Sequence, residues 1–151
     1  MHYFAYGSNM LKSRLENQGS QVPPRIGPVV DRGISMLPGY KIVFNKLSND
    51  RSGKTNMVQD KEAYVLGVTF ELTNEQIRNL DRIEGEGYRR EFIVVDCNGE
   101  KAEVATYFAT ENYVQENLLP TKQYLDHLID GAKEHGFPED YILFLENTPH
   151  L

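Results

Sequence analysis

The chain has 151 residues, with 16 Lys and Arg against 22 Asp and Glu, so its formal net charge is −6. A length within about 100–200 residues predicts a single domain over 1–151, which can bury a core without disulfides or structural metals. The acidic balance predicts that nucleic acid is not a partner. The sequence shows no signal-peptide pattern and no apolar run near ~18 residues, which predicts that a membrane is not a partner either. Together with the single cysteine, Cys97, these features predict a cytoplasmic protein.

The first predicted elements are a strand, a turn and a helix. The residues His2–Tyr6 predict a short strand that Gly7 ends. Either Ser8 or Asn9 is expected to cap a helix that runs to about Asn17, because both residue types are favoured at helix N-caps.

Strand signals dominate the middle of the chain. The Pro- and Gly-rich segment Gln21–Pro38 is expected to be mostly connection. Strands are predicted at Tyr40–Phe44, near Met57 and Val58, and at Glu62–Glu71, where side chains alternate between two faces.

A hairpin follows later in the chain. The runs Arg90–Asp96 and Glu103–Ala109 flank Asn98 and Gly99, and Asn-Gly is the strongest short hairpin signal. We therefore expect these two strands to be antiparallel neighbours.

Three further segments carry helix signals. Thr73–Gln76 fits a capping box, and the helix that it begins should end near Gly85. Thr121–His135 has an apolar helical face that Gly136 should end, and Pro138 suits the first turn of a last helix. Strands paired over long range with helices between them predict an α+β fold, in which five or six strands close into a small barrel flanked by helices.

The turn after the first strand is a candidate binding site. Gly7 lets the backbone turn, and the N–H groups of a helix start have no partner within the helix, so they can bind a carboxylate or a developing oxyanion. An ordinary helix cap at Ser8 or Asn9 explains the same residues, and both interpretations stay open.

The segment Asp81–Tyr88 is a second candidate. Asp81 and Glu84 lie at a helix C-terminus, where the helix dipole disfavours negative charge. A carboxylate held there near another acid can have a raised pKa, which suits general acid–base chemistry. A solvated acidic loop, turned by Gly85 and Gly87, is the alternative.

Other catalytic classes find no support. The histidines lack metal-ligand spacing, so no metal is expected. Ser8 has no nearby histidine and no G-x-S-x-G context, which argues against a serine hydrolase. The segment Gly85–Gly87 does not open a strand-to-helix unit, as a dinucleotide fingerprint would.

Three blocks of sequence occur in order along almost the whole chain. They are Tyr3–Met10 (YFAYGSNM), Leu80–Gly85 (LDRIEG) and Tyr124 with Gly131–Tyr141 (GAKEHGFPEDY). In this combination the chain resembles the γ-glutamylcyclotransferase family. The resemblance implies a small β-barrel flanked by helices, with a pocket at one mouth, and an enzyme that needs no cofactor and acts on a small γ-glutamyl substrate.

The resemblance also assigns residues. Glu84 matches the catalytic acid and base of the family. The matches to its substrate-binding residues are Tyr6, Gly7, Ser8, Asn9, Met10, Tyr88 and Tyr124.

The implied reaction is an attack of the substrate's α-amine on its own γ-carbonyl, which releases 5-oxoproline and a free amino acid. Two alternatives remain open at this point: an enzyme that removes the γ-glutamyl group from amines or from a biosynthetic intermediate, and a binding protein of the same fold. The loop after Glu84, which looks shorter than in the animal enzymes, would decide the leaving group. The oligomeric state also stays open, a homodimer included.

Overall fold

The computed structural model describes residues 1–16 and 25–151, and a closed five-stranded barrel lies at its centre. The strands are β1 (His2–Ala5), β2 (Val30–Leu47), β3 (Gly53–Glu71), β4 (Tyr88–Cys97) and β5 (Glu100–Ala109). Their order around the barrel is β1-β3-β2-β4-β5, and every pair is antiparallel except β1 with β5, which pair in parallel. The predicted α+β barrel is therefore confirmed.

Strands β2 and β3 form a hairpin of 18 and 19 residues that wraps around the barrel. The strands predicted at 40–44, 57–58 and 62–71 are parts of this one hairpin. The expected connection at Gln21–Pro38 is wrong from Val30 onward, while residues 21–24 lie outside the described part of the chain. Gly33 and Gly39, both with positive φ, lie at register shifts of β2, so these residues mark bulges that bend the strand and do not end it.

The second hairpin agrees with its prediction. Asn98 and Gly99 have φ values of 53° and 82°, as a two-residue turn with two left-handed positions requires. Strands β4 and β5 pair without a break from Tyr88 opposite Ala109 to Cys97 opposite Glu100.

The helices are α1 (Lys12–Glu16), α2 (Asn74–Glu84), α3 (Lys122–Glu134) and α4 (Glu139–Glu146). The capping box of α2 is confirmed: Gln76 N donates to Thr73 Oγ1 over 3.1 Å, and Thr73 N donates to Gln76 Oε1 over 2.9 Å. Gly85, with a φ of 70°, ends α2 and leaves Glu84 as its last residue.

The first helix differs from its prediction. A 3₁₀ turn at Ser8–Met10 comes first, and α1 begins only at Lys12. No side chain caps this turn, so the predicted capping by Ser8 or Asn9 is wrong, because the Asn9 side chain is used elsewhere. The expected end near Asn17 lies outside the described residues.

Helix α3 holds that turn in place. A Cβ added at Gly131 would lie 2.8 Å from Met10 Cβ, so only glycine lets the helix approach the turn so closely.

Within the described residues, none of the helices combines the length and the apolar character that crossing a bilayer demands.

Candidate functional site

A cavity lies where the turn after β1, the end of α2 and the start of α3 meet one mouth of the barrel. Its walls are Tyr3, Tyr6, Gly7, Ser8, Asn9, Thr55, Glu84, Tyr88, Tyr107 and Tyr124. The structure thus brings seven of the eight sequence-predicted site residues to one place. Met10 is the eighth, and it lies fully buried beneath α3, away from the cavity wall.

Among the described residues, Glu84 supplies the one carboxylate of this cavity wall. Its Oε1 accepts a hydrogen bond from Asn9 Nδ2 over 3.1 Å. Burial raises the pKa of Glu84, and the charges of Arg25, Lys46 and Arg14, with the Asn9 hydrogen bond, oppose that rise. The raised pKa suits a group that both takes up and releases a proton during a reaction.

The raised pKa of Glu84 has a different cause from the expected one. Asp81 does not act as a second acid beside it: Asp81 Oδ1 accepts from the Tyr107 hydroxyl over 2.6 Å and pairs with Arg90 Nε at 3.1 Å. Burial at the cavity, and not repulsion between two carboxylates, raises the pKa.

Asn9 links Glu84 to a cation. Its Oδ1 accepts from Arg25 Nη2 over 2.7 Å, while its Nδ2 donates to Glu84 and, over 3.1 Å, to the Tyr3 hydroxyl. Because Arg25 can only donate, it fixes the amide so that Nδ2 faces the carboxylate. Asn9 is therefore a positioning residue for Glu84.

The turn offers free backbone donors. The N–H groups of Gly7, Ser8 and Asn9 donate no hydrogen bond to any other residue that the structure describes. These donors, which have no partner among the described residues, make the turn suitable for an oxyanion.

Gly7 is required by close packing. A Cβ at this position would overlap Thr55 Oγ1 and lie 3.2 Å from the Tyr124 hydroxyl. The turn can therefore lie against β3 and α3 only with glycine here.

Thr55 joins three walls of the cavity. Its N–H donates to the Tyr124 hydroxyl over 3.2 Å, and its Oγ1 lies 2.8 Å from the same oxygen. Its carbonyl accepts from the Tyr88 hydroxyl over 2.7 Å. Burial raises the pKa of Tyr88 and Tyr124, so both remain neutral hydrogen-bonding walls.

Sequence reasoning did not assign Tyr3, Thr55 and Tyr107 to the site. Tyr3 belongs to the first sequence block, and that block was its one signal. Thr55 carries no local signal, because its role arises only when the barrel brings β3 against Gly7.

The described residues contain no group of three or more His, Cys, Asp or Glu side chains placed to hold a metal ion.

Comparison with known proteins extends these observations. The model of the AIG2-like family matches residues 64–145. A mouse (Mus musculus) protein named gamma-glutamylcyclotransferase is 29% identical to this chain over 151 aligned positions. The aligned part covers 92% of this chain and 73% of the mouse protein.

Two solved structures share the fold. A gamma-glutamyl cyclotransferase matches with a TM-score of 0.88 at 24% identity, over 100% of this chain and 89% of that one. The crystal structure of an uncharacterized protein from Homo sapiens matches with a TM-score of 0.84 at 26% identity, over 99% of this chain and 88% of that one.

Proposed function

Because the chain belongs to the AIG2-like family, we propose that it is a γ-glutamylcyclotransferase, which converts a γ-glutamyl amino acid or peptide into 5-oxoproline and a free amino acid or peptide. The observation that carries the proposal is one cavity that contains both the half-buried carboxylate of Glu84, held by Asn9, and the N–H groups of Gly7, Ser8 and Asn9, which have no partner among the described residues. The relatives that bear this name support it.

The reaction needs a folded substrate. The α-amine of a γ-glutamyl group can close a five-membered ring on its own γ-carbonyl. A pocket that holds the chain bent brings the two groups to within reacting distance, which replaces a slow encounter by a near-attack geometry. The tyrosine walls, fixed through Thr55, give the cavity the rigid shape that this requires.

Glu84 moves the proton. The α-amine is normally protonated and cannot attack, so the Glu84 carboxylate takes one proton from it. After the new C–N bond forms, the same proton passes to the departing nitrogen as the old amide C–N bond breaks. The ring nitrogen still carries one proton too many, and Glu84 transfers this second proton to the freed amine, which leaves as an ammonium group. Glu84 returns to its carboxylate form, and no water is consumed. The raised pKa of Glu84 lies closer to the pKa values of the two amines with which the carboxyl group exchanges protons.

The turn stabilises negative oxygen. While the amine adds to the γ-carbonyl, the carbonyl oxygen gains charge, and backbone donors that are already in place stabilise it without reorganisation. The N–H groups of Gly7, Ser8 and Asn9 supply such donors. The substrate's α-carboxylate is the second group that they can bind.

The proposal includes a reducing, cytoplasmic setting, which the single, free Cys97 supports. The activity is tested by incubating the purified protein with γ-glutamylalanine and separating the products. We expect equal amounts of 5-oxoproline and alanine. Unchanged substrate, or glutamate with alanine, would contradict the proposal.

A further inference from the structure

Two lysines face each other across the β2–β3 hairpin. Lys46 and Lys54 are direct partners in the strand register. Both are half-buried, and neither forms an ion pair with a carboxylate of the described residues. Like charges directly opposite on neighbouring strands repel each other, and among the described residues the close contacts of the two ammonium groups are with aromatic rings and not with carboxylates.

Neither lysine lines the cavity itself, but the ammonium group of each contacts a ring of the cavity wall. Lys54 Nζ lies 4.1 Å from the ring centroid of Tyr124, and Lys46 Nζ lies 5.0 Å from that of Tyr88. Both rings are cavity walls. A Cβ at Gly87 would lie 2.9 Å from Lys46 Nζ, so the glycine leaves the space that this ammonium group occupies.

Positive charge exceeds negative charge around the cavity. Arg14, Arg25 and Lys46 act electrostatically on Glu84, and Lys54 does so as well. Four cations thus act on the carboxylate of Glu84 in a protein whose net charge is −6.

Asp50 compensates part of the charge of Lys54, although the two form no ion pair. Its Oδ1 accepts hydrogen bonds from Ser52 N and Ser52 Oγ at 3.0 and 2.5 Å, and these bonds stabilise its negative charge. Burial lowers the pKa of Lys46 and of Lys54, and this lowering outweighs the opposing effects of Glu84 on both lysines and of Asp50 on Lys54.

The substrate's glutamyl end cannot supply the missing charge. That end carries one α-carboxylate and one α-ammonium group, so its net charge is zero, and Glu84 faces the ammonium group. The positive charge of the lysine pair lies on the hairpin beside Tyr88 and Tyr124, where an anionic group at the other end of the substrate would balance it.

We propose that Lys46 and Lys54 form a subsite for a carboxylate of the leaving group, so that the enzyme selects γ-glutamyl amino acids and peptides over γ-glutamylamines. The inference rests on the proposed function and names the residues that determine its specificity. A leaving group with a carboxylate gains charge-assisted hydrogen bonds from the two ammonium groups, and a neutral alkylamine gains none.

The test compares two substrates that differ by one carboxylate, γ-glutamylalanine and γ-glutamylethylamide. The measured quantity is the ratio of their kcat/KM values for 5-oxoproline formation. We expect the wild-type protein to favour γ-glutamylalanine by about tenfold or more, the effect of one charge-assisted hydrogen bond. Lys46→Gln and Lys54→Gln should each lower this ratio by a similar factor.

Lys101→Gln is the matched control. Lys101 is an exposed lysine opposite Asp96, at the far end of the β4–β5 hairpin, so its loss should leave the ratio unchanged. If a lysine variant fails to fold, the wild-type protein alone still tests the subsite. Raising the salt concentration should raise KM for γ-glutamylalanine more than for γ-glutamylethylamide, because only the first has an additional charge pair at its leaving group.

The outcomes separate the two proposals. Equal kcat/KM values for both substrates in the wild-type protein, or folded lysine variants that keep the wild-type ratio, would overturn the subsite and leave the cyclotransferase activity intact. A failure to form 5-oxoproline from either substrate would overturn the proposed function, and the subsite with it.

Discussion

Replacing Glu84 by glutamine removes a proton acceptor and changes little else in the cavity. The amide of Glu84→Gln keeps the size of the side chain, and its oxygen can still accept from Asn9 Nδ2, as Oε1 does at 3.1 Å. It cannot take a proton from the α-amine. Loss of a positioned acid–base group costs about 10²–10⁴-fold in rate, or about 3–5 kcal/mol of transition-state stabilisation.

The pH dependence gives the same prediction a second readout. The carboxylate form of Glu84 is the active one, so kcat/KM should fall as pH decreases through the raised pKa of Glu84, above the ordinary value of about 4.3. A raised pKa in the folded state favours folding below the ordinary pKa, and this advantage is lost as pH rises through the folded-state pKa. The free energy of unfolding of Glu84→Gln minus that of the wild-type protein should therefore be larger at pH 7 than at pH 4.

Two measurements check these statements: the rate of 5-oxoproline formation from γ-glutamylalanine across pH, and urea unfolding at pH 4 and pH 7. A folded Glu84→Gln protein with at least a tenth of the wild-type rate would refute the assignment of Glu84 as the acid and base. A stability difference that does not change with pH would refute the argument from burial.

Two other substitutions test the walls of the cavity. Gly7→Ala should lower kcat/KM at least about tenfold, because its Cβ displaces the turn from Thr55, and small misplacements of positioning groups cost up to about 10²-fold. Adding Thr55→Ala to the Gly7→Ala protein should restore part of the lost activity. An unchanged kcat/KM for Gly7→Ala would contradict the packing argument. Tyr124→Phe should lower the free energy of unfolding by about 1–3 kcal/mol, because it leaves the buried N–H and hydroxyl of Thr55 without their partner. The control Tyr113→Phe removes an exposed hydroxyl bonded to Glu86 and should cost less than about 1 kcal/mol in the same assay, so equal losses would contradict the assigned role of Tyr124.

Local signals predicted much of the fold. The turn at Asn98 and Gly99 and the capping box at Thr73 depend on a few neighbouring residues, and both have the expected geometry. The length of β2 could not be predicted in this way. Gly33 and Gly39 are typical of loops in isolation, but here their positive φ values bend a strand that β3 holds in register.

The site depended on longer-range contacts. Sequence blocks place Glu84 and the turn residues at one pocket, but Thr55 and the lysine pair become visible only through the register of β3 with β2 and the packing of β3 on the turn. Met10 shows the opposite error. It shares a sequence block with cavity residues, yet a 3₁₀ turn directs its side chain under α3 and into the core.

The central claim is that the substrate's own α-amine is the nucleophile. One measurement tests it most directly: the products formed from γ-glutamylalanine and from its N-acetyl derivative under the same conditions. We expect 5-oxoproline and alanine from the first substrate and no cleavage of the second, because an acetylated amine cannot attack and carries no ammonium proton for Glu84 to accept. Release of glutamate from the first substrate, or cleavage of the second at a comparable rate, would contradict this mechanism and identify a water-dependent amidase.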